Sequence, residues 1–209
     1  MIRYEKKYIS ECCLEYSFGD SIDETTNNLV IKLYKYLQAS PLKNELQILD
    51  IIPSYNAIAI HFGIESKLFN NSSKIDSLLA SADAISEDLE SSLHEINVNY
   101  NGVDIQNVCK QLNISKEELI VLHANKTYSI AMIGFRPYFP YLLGLDEKLF
   151  LPRRDNPRTE VTKGSVAIAA GQTGIYSQNS PGGWHIIGHT DFQGYNHLKT
   201  GDRIIFRSI

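Results

Sequence analysis

The chain has 209 residues, 43% of them hydrophobic, which is enough for one large domain or two small ones and excludes global disorder. A net charge of −4 argues against nucleic acid as the main partner. No apolar run is long enough to span a membrane, and the N-terminal segment MIRYEKKYIS lacks the apolar core of a secretory signal, so we expect a cytoplasmic protein.

The N-terminal part predicts a small domain in which strands and helices alternate. Its predicted elements are a strand over 6–19, a helix over 21–40, strands over 46–52 and 56–63, a helix over 72–95 and a strand over 96–100. Ser21 and Glu24 have the spacing of a capping box at the start of the first helix. The order β-α-β-β-α-β is the split βαβ arrangement of ferredoxin-like domains, which we place at 1–96.

The C-terminal part, 97–209, has a different composition. Ten of the 13 glycines and five of the seven prolines follow residue 130. Two short helices come first, over 103–113 and 115–126, the second with Ser115 and Glu118 as a capping box. Short strands separated by glycine and proline turns then continue to the end, which indicates a β-barrel. The chain is therefore predicted to be α+β.

Common cofactor and nucleophile motifs do not occur in the sequence. It contains no G-x-x-x-x-G-K-S/T, G-x-G-x-x-G, H-E-x-x-H, C-x-x-C or G-x-S-x-G motif, so a P-loop that binds ATP is not expected. His185 and His189 lie four residues apart without a third ligand nearby in sequence, and we predict no metal site. The three cysteines are expected to be reduced thiols.

An unusual cluster of arginine, proline and aromatic residues lies at 134–158. The arginines are Arg136, Arg153, Arg154 and Arg158, and aromatic side chains such as Tyr138 and Tyr141 accompany them. Proline restricts the loop, and guanidinium groups match carboxylate or phosphate, so an anion-binding rim is one interpretation. The alternative is a set of salt bridges to Asp146, Glu147, Asp155 and Glu160 or to the acidic first domain.

The segment GQTGIYSQNSPGGW, 171–184, is a second candidate. Its glycine turn permits close approach of the backbone to a ligand, while neutral side chains could donate hydrogen bonds and the tryptophan could form an apolar wall. The candidate residues are Gln172, Thr173, Tyr176, Ser180, Gly182, Gly183 and Trp184. The alternative is a barrel turn capped by a core tryptophan.

His123 lies near the end of a predicted helix. Its ordinary pKa would suit acid–base chemistry at neutral pH, but a lone histidine is more often a packed or capping residue. Both interpretations stay open on the sequence.

The run from His123 to Thr190, with GFRPYFPYLLGLD, PRRDNPR, GSVAIAAGQTGIYSQNSPGGW and IGHT, resembles a family that includes the B-type subunit of 5-oxoprolinase, the first subunit of allophanate hydrolase and the kinase inhibitor KipI. The resemblance extends more weakly to 50–62 and to GDRIIF. It implies a small N-terminal α/β domain followed by a cyclophilin-like β-barrel.

The resemblance implies a subunit of an ATP-dependent 5-oxoprolinase, which opens the lactam of 5-oxoproline to L-glutamate. ATP with Mg²⁺ would act in an assembled complex with a second carboxyltransferase-like subunit and a LamB/YcsF-like subunit. The candidate catalytic residues are then His123, Arg154 and Gln172, and the other arginines and the 171–184 residues would bind substrate. Inhibition of a sensor histidine kinase and allophanate hydrolysis are the alternatives.

Three positions depart from the family pattern. Tyr138 replaces a glycine, so a side chain stands where a backbone could have approached a ligand. His189 replaces an arginine and removes a fixed cation, although we still count it among the candidate binding residues. A glycine-rich segment near the domain junction is reduced to YNGVDIQNV, in which Asp104 stands for the family's aspartate.

Overall fold

The computed structural model describes residues 3–64, 68–80 and 91–209. These residues belong to two compact units, Met1–Glu90 and Ser91–Ile209. The division precedes the predicted boundary at 96/97, because the last strand assigned to the first domain pairs within the second unit. The mixture of helices with largely antiparallel sheets confirms the α+β class. Within the ranges just given, no helix is both long enough and apolar enough to cross a membrane.

The first unit contains a four-stranded antiparallel sheet with the order β1-β2-β4-β3. Its elements are β1 (Glu5–Ser10), β2 (Cys13–Ser17), α1 (Glu24–Ala39), α2 (Leu42–Glu45), β3 (Ile48–Pro53), β4 (Ala57–Phe62) and α3 (Leu68–Ala80). Alternate residues of the central strands, such as Leu14 on β2 and Ile60 on β4, are fully buried. They pack with Val30 and Leu33 of α1 to form the core of this unit.

Along the chain, the helices and strands of the first unit do not follow the predicted order β-α-β-β-α-β. The segment 6–19 turns at Glu11 and Cys12 and forms the β1–β2 hairpin instead of one strand. The strand predicted at 96–100 is β5 (Leu93–Val98), whose buried residues complete the core of the second unit. The helix predicted over 72–95 corresponds to α3 only as far as Ala80, and 81–90 lie outside the described residues.

The two predicted capping boxes have different outcomes. Asp23, not Ser21, caps α1: its Oδ1 accepts the N–H of Thr26 at 2.8 Å, and Ser21 Oγ donates to its Oδ2 at 2.6 Å. Ser115 caps the second predicted helix as expected, because its Oγ accepts the N–H of Glu118 at 3.0 Å.

The second unit is built on a seven-stranded sheet with the order β12-β9-β10-β7-β6-β13-β5. Its strands and helices are β5, α4 (Ile105–Leu112), α5 (Lys116–Ala124), β6 (Thr127–Ile133), β7 (Pro140–Leu143), β8 (Arg158–Val161), β9 (Ser165–Ala169), β10 (Gln172–Ile175), β11 (Ser180–Gly182), β12 (His185–His189) and β13 (Arg203–Ser208). Strands β8 and β11 form a separate pair. Short 3-10 helices lie at Glu147–Leu149 and Gly194–His197.

The two edges of the seven-stranded sheet meet at one bridge. Asn99, just after β5, and His189, at the end of β12, each donate an N–H to the other's carbonyl oxygen at 2.9 Å. The sheet therefore curls until its edges touch, as expected for a barrel. Its interior is filled by an apolar cluster that includes Ile130, Ile168 and Phe206, all fully buried.

The chain that follows this bridge runs along β12. Gly102 N–H donates to Ile187 O at 3.1 Å, and Asp104 N–H donates to Ile186 O at 3.0 Å. At the bridge itself, a Cβ on Gly188 would lie 2.7 Å from Val98 Cγ1 and 2.8 Å from Asn99 O. The close approach of the two sheet edges therefore requires glycine at position 188.

We predict that Gly188→Ala destabilises the second unit by about 1–3 kcal/mol, because the added methyl group must push the two sheet edges apart. Urea unfolding followed by tryptophan fluorescence measures this, since the only tryptophan, Trp184, lies in this unit. Gly134→Ala is the matched control, because its added Cβ would approach only the flexible end of Met132, at 3.1 Å. Equal urea midpoints for the two variants would contradict the prediction.

Candidate functional site

A cavity of about 310 Å³ in the second unit contains most of the predicted site residues. Its lining consists of five aromatic residues, three arginines, two prolines and two glycines: Phe135, Arg136, Phe139, Tyr141, Arg153, Arg154, Pro157, Tyr176, Pro181, Gly182, Gly183 and Trp184. No carboxylate appears among these lining residues. The two segments singled out in the sequence, 134–158 and 171–184, therefore converge on one hollow.

The turn between β6 and β7 forms one rim of the cavity. Phe135 and Tyr138 adopt left-handed backbone angles, with φ of 60° and 63°, which are uncommon for aromatic residues. Two hydrogen bonds close the turn, from Gly134 N–H to Phe139 O and from Phe139 N–H to Arg136 O, each 3.1 Å long. The turn directs Phe135 and Arg136 to the cavity, whereas Tyr138 is half-exposed and does not line it.

Aromatic rings form the inner wall. Phe139 packs edge-on against Tyr141, Tyr176 and Trp184, with ring centroids 4.8, 5.2 and 5.8 Å apart. Burial raises the pKa of Tyr141 and of Tyr176, so both hydroxyls keep their protons at neutral pH and can donate hydrogen bonds. Trp184 is at once a core residue and a cavity wall, so both interpretations of the 171–184 segment apply to it.

Gly182 leaves room for one of these hydroxyls. A Cβ at position 182 would lie 2.1 Å from the Tyr176 hydroxyl oxygen, so only glycine allows the backbone to pass so close. The next residue, Gly183, accepts the backbone N–H of Arg154 through its carbonyl oxygen at 2.8 Å. The glycine turn therefore contacts Tyr176 on one side of the cavity and holds the backbone of Arg154 on the other.

Two of the predicted arginines bind one buried carboxylate. Arg154 Nη1 and Arg158 Nη2 donate to Oδ1 of Asp104 at 2.8 and 2.7 Å, and Asp104 is almost fully buried. Burial acts to raise the pKa of Asp104, but the hydrogen bonds from Arg158 and Ile186 N–H and the two positive charges outweigh it and hold the pKa below its ordinary value. The carboxylate is therefore ionised at neutral pH.

The other two arginines are exposed at the rim. Across the described parts of the chain, neither Arg136 nor Arg153 has a carboxylate within ion-pair distance, and Arg136 lies over the ring of Phe135 at 5.5 Å. None of the predicted partners Asp146, Glu147, Asp155 and Glu160 pairs with an arginine of the group. Asp146 pairs instead with Lys126 at 3.2 Å. The cavity thus keeps a positive lining that suits an anionic ligand.

Gln172, Thr173 and Ser180 do not line the cavity. All three are buried in or beside the sheet, and Thr173 Oγ1 donates to Ala167 O at 3.0 Å. They belong to the strands that carry the cavity wall. The sequence predicts that these three side chains contact a ligand directly, but they lie outside the lining of the cavity.

His123 is fully buried in the barrel interior. It stacks on Phe206, with ring centroids 4.7 Å apart, and burial lowers its pKa to about 3. Thr173 donates its proton to a carbonyl, so it accepts from His123 Nε2, and Nδ1 accepts from the Tyr100 hydroxyl at 2.7 Å. A neutral histidine with both nitrogens engaged, away from the cavity, lacks the solvent or ligand contact that a proton carrier needs.

His189 takes part in the bridge that joins the sheet edges and does not line the cavity. Its Nε2 lies 3.1 Å from Lys163 O, and its side chain is about half exposed. His189 stands where the family pattern has an arginine, so this replacement removes a positive charge from the bridge and not from the cavity lining. Within the described ranges, no group of three or more His, Cys, Asp or Glu side chains is arranged to hold a metal ion.

Sequence reasoning did not place Asp104 in the site. The residue lies 50 positions before Arg154 and 54 before Arg158, in a segment without an arginine or aromatic cluster. The only signal was its match to the family's aspartate. Phe135 and Phe139 were also not named individually, although both lie within the 134–158 segment.

The protein is thus of the α+β class, with a curled sheet that carries a cavity lined by arginine and aromatic side chains. The chain belongs to the family described as carboxyltransferase domain, subdomain C and D, whose model matches residues 4–204. This match confirms the resemblance found in the sequence.

Three known proteins show how far the similarity extends. The B-type subunit of 5-oxoprolinase from Bacillus subtilis is 31% identical over 205 residues, which cover 90% of this chain and 83% of that protein. Its counterpart from Haemophilus influenzae is 49% identical over 89 residues, 43% of this chain and 42% of that one. A crystal structure of TTHA0988 matches 94% of this chain and 40% of its own, with 29% identity and a TM-score of 0.80. The matched regions cover less than half the length of each of the last two proteins.

We predict that Asp104→Asn destabilises the second unit by about 3 kcal/mol at pH 7, because two guanidinium groups lose their shared carboxylate. The folded-state pKa of Asp104 lies below its ordinary value of 3.8, so this stability is present above that value and is lost as the pH falls through the folded pKa. Urea midpoints of wild type and variant, measured by Trp184 fluorescence, should therefore differ at pH 7 and converge in acid. A gap that stays constant down to the acid-unfolding limit would contradict this assignment.

Proposed function

We propose that this chain is a subunit of a 5-oxoprolinase, which hydrolyses the lactam of 5-oxoproline to L-glutamate with ATP in a complex with companion subunits. The single observation that supports it most strongly is the arginine-lined, aromatic-walled cavity in a chain of this family. The Bacillus subtilis and Haemophilus influenzae relatives, both named as a 5-oxoprolinase subunit, agree with the proposal.

The cavity fits the chemistry of this substrate. 5-Oxoproline is a flat five-membered ring with one carboxylate and one lactam carbonyl. Arg136 and Arg153, which have no carboxylate partner among the described residues, would bind the carboxylate, while Tyr141 and Trp184 would cover the ring. The volume of about 310 Å³ is at the lower end of the range for small-molecule sites, roughly 300–1,000 Å³.

The reaction sets a second requirement. A lactam is an unreactive amide, and phosphorylation of its carbonyl oxygen would make hydrolysis feasible. Positive charge must then lie beside the phosphoryl group and the developing oxyanion. Arg154, fixed at the cavity wall, would supply it, with the Tyr176 hydroxyl as a neutral donor.

ATP and Mg²⁺ are assigned to the assembled complex and not to this chain alone. The three lining arginines suit a phosphoryl group, but the sequence has no P-loop and the described residues offer no cluster of metal ligands. We assign these functions to a second carboxyltransferase-like subunit and a LamB/YcsF-like subunit. Kinase inhibition and allophanate hydrolysis are not favoured, because the Bacillus subtilis and Haemophilus influenzae relatives are both named for 5-oxoprolinase.

The experiment is reconstitution of the chain with these companion subunits, ATP, Mg²⁺ and 5-oxoproline, with glutamate release as the measurement. We expect Arg154→Ala to lower kcat/KM by about 100- to 1,000-fold, the usual effect of removing one charge-stabilising donor. Arg153→Ala should mainly raise KM, by about tenfold or more, because it removes a charged hydrogen bond to the carboxylate.

Arg203→Ala is the matched control, since Arg203 is exposed on β13 and lies outside the cavity. This variant should keep the wild-type rate. Glutamate release that is equally fast without the chain would refute the proposed function.

A further inference from the structure

Arg154 and Arg158 share one oxygen of a single carboxylate, which leaves part of each guanidinium unused. Arg154 Nε and Arg158 Nη1 are buried and have no hydrogen-bond acceptor among the described residues. Buried charged donors are normally paired, because an unpaired one costs free energy. Both donors belong to groups already held by Asp104, so each lies within one guanidinium width of that contact.

Asp104 is itself held firmly. Its Oδ2 accepts the N–H of Ile186 at 2.7 Å, and its own N–H donates to Ile186 O at 3.0 Å. It also lies at the N-terminus of α4, where the helix favours a negative charge. Asp104 is therefore fixed to β12 at two points, once through its carboxylate and once through its backbone N–H.

Arg154 is restrained at both ends as a result. Its backbone N–H donates to Gly183 O at 2.8 Å, and its Nη1 donates to Asp104 at 2.8 Å. A long side chain that is held at its backbone and at its guanidinium group keeps that group in one orientation. With two guanidinium groups and one carboxylate, the cluster also keeps one net positive charge.

We infer that Asp104 is a positioning residue for the reaction: it holds the guanidinium group of Arg154, which lines the cavity, in one orientation toward an anionic oxygen of the substrate. Arg158, which does not line the cavity, completes the cluster from the other side of the same carboxylate. The identity of that substrate rests on the proposed function. The orientation of Arg154 does not.

Simple electrostatics and positioning predict opposite results for Asp104→Asn. The variant gains one unit of positive charge beside the cavity, so charge alone would strengthen the binding of an anion. Positioning predicts a weaker site, because the guanidinium head loses its fixed anchor. We expect kcat/KM in the reconstituted complex to fall by about 10- to 100-fold, mainly in kcat.

The orientation of Arg154 can be measured without any substrate. In ¹⁵N NMR spectra of the purified chain, the Nε–H signal of Arg154, assigned by its loss in Arg154→Lys, should be sharp and slow to exchange in the wild type. It should broaden or disappear in Asp104→Asn. Glu95→Gln is the matched control, because it removes a carboxylate paired with an exposed arginine, Arg207, at 2.7 Å, and should leave the Arg154 signal unchanged.

Asp104→Glu provides a second variant if Asp104→Asn does not fold. It keeps a carboxylate, displaced by one methylene, and should retain more activity than the asparagine variant and a visible Arg154 signal. An unchanged Arg154 signal in folded Asp104→Asn, or tighter binding and equal kcat, overturns the positioning role. If the wild-type complex releases no glutamate while the NMR result holds, the proposed function fails and the positioning role stands.

Discussion

The second unit depends on the contact between the two edges of its sheet. Reciprocal hydrogen bonds between Asn99 and His189 join strands at opposite ends of the strand order, and Gly188 allows the backbones to approach. The chain then continues along β12 and brings Asp104 into contact with Arg154, at the cavity wall, and with Arg158. Closure of the sheet and assembly of the charged cluster are thus consequences of one short segment.

The cavity combines apolar aromatic rings with positively charged guanidinium groups. Apolar rings such as Phe139 and Trp184 remove water from one wall, while guanidinium groups supply charge at the other. Charge acts more strongly where water is excluded. The buried carboxylate of Asp104 offsets part of this charge, so that a positive cavity and a stable fold are compatible.

The sequence predicted the features that depend on near neighbours. The cap at Ser115 and the strand-rich second unit were both predicted from local composition and spacing. It did not predict contacts between distant segments. β5 pairs in parallel with β13, although the two strands lie at opposite ends of the second unit's sequence. No residue pattern within 93–98 indicates that partner. Burial of His123 also depends on packing from several elements, so its acid–base role could not be judged locally.

The parallel pairing of β5 with β13 has a consequence for biosynthesis. The first strand of the second unit must wait for Arg203–Ser208 before it gains its neighbour, and Asp104 must wait for Ile186 before it is held. A nascent chain on the ribosome can therefore form the hairpins between these points, but the seven-stranded sheet is complete only after its last strand in sequence has been made.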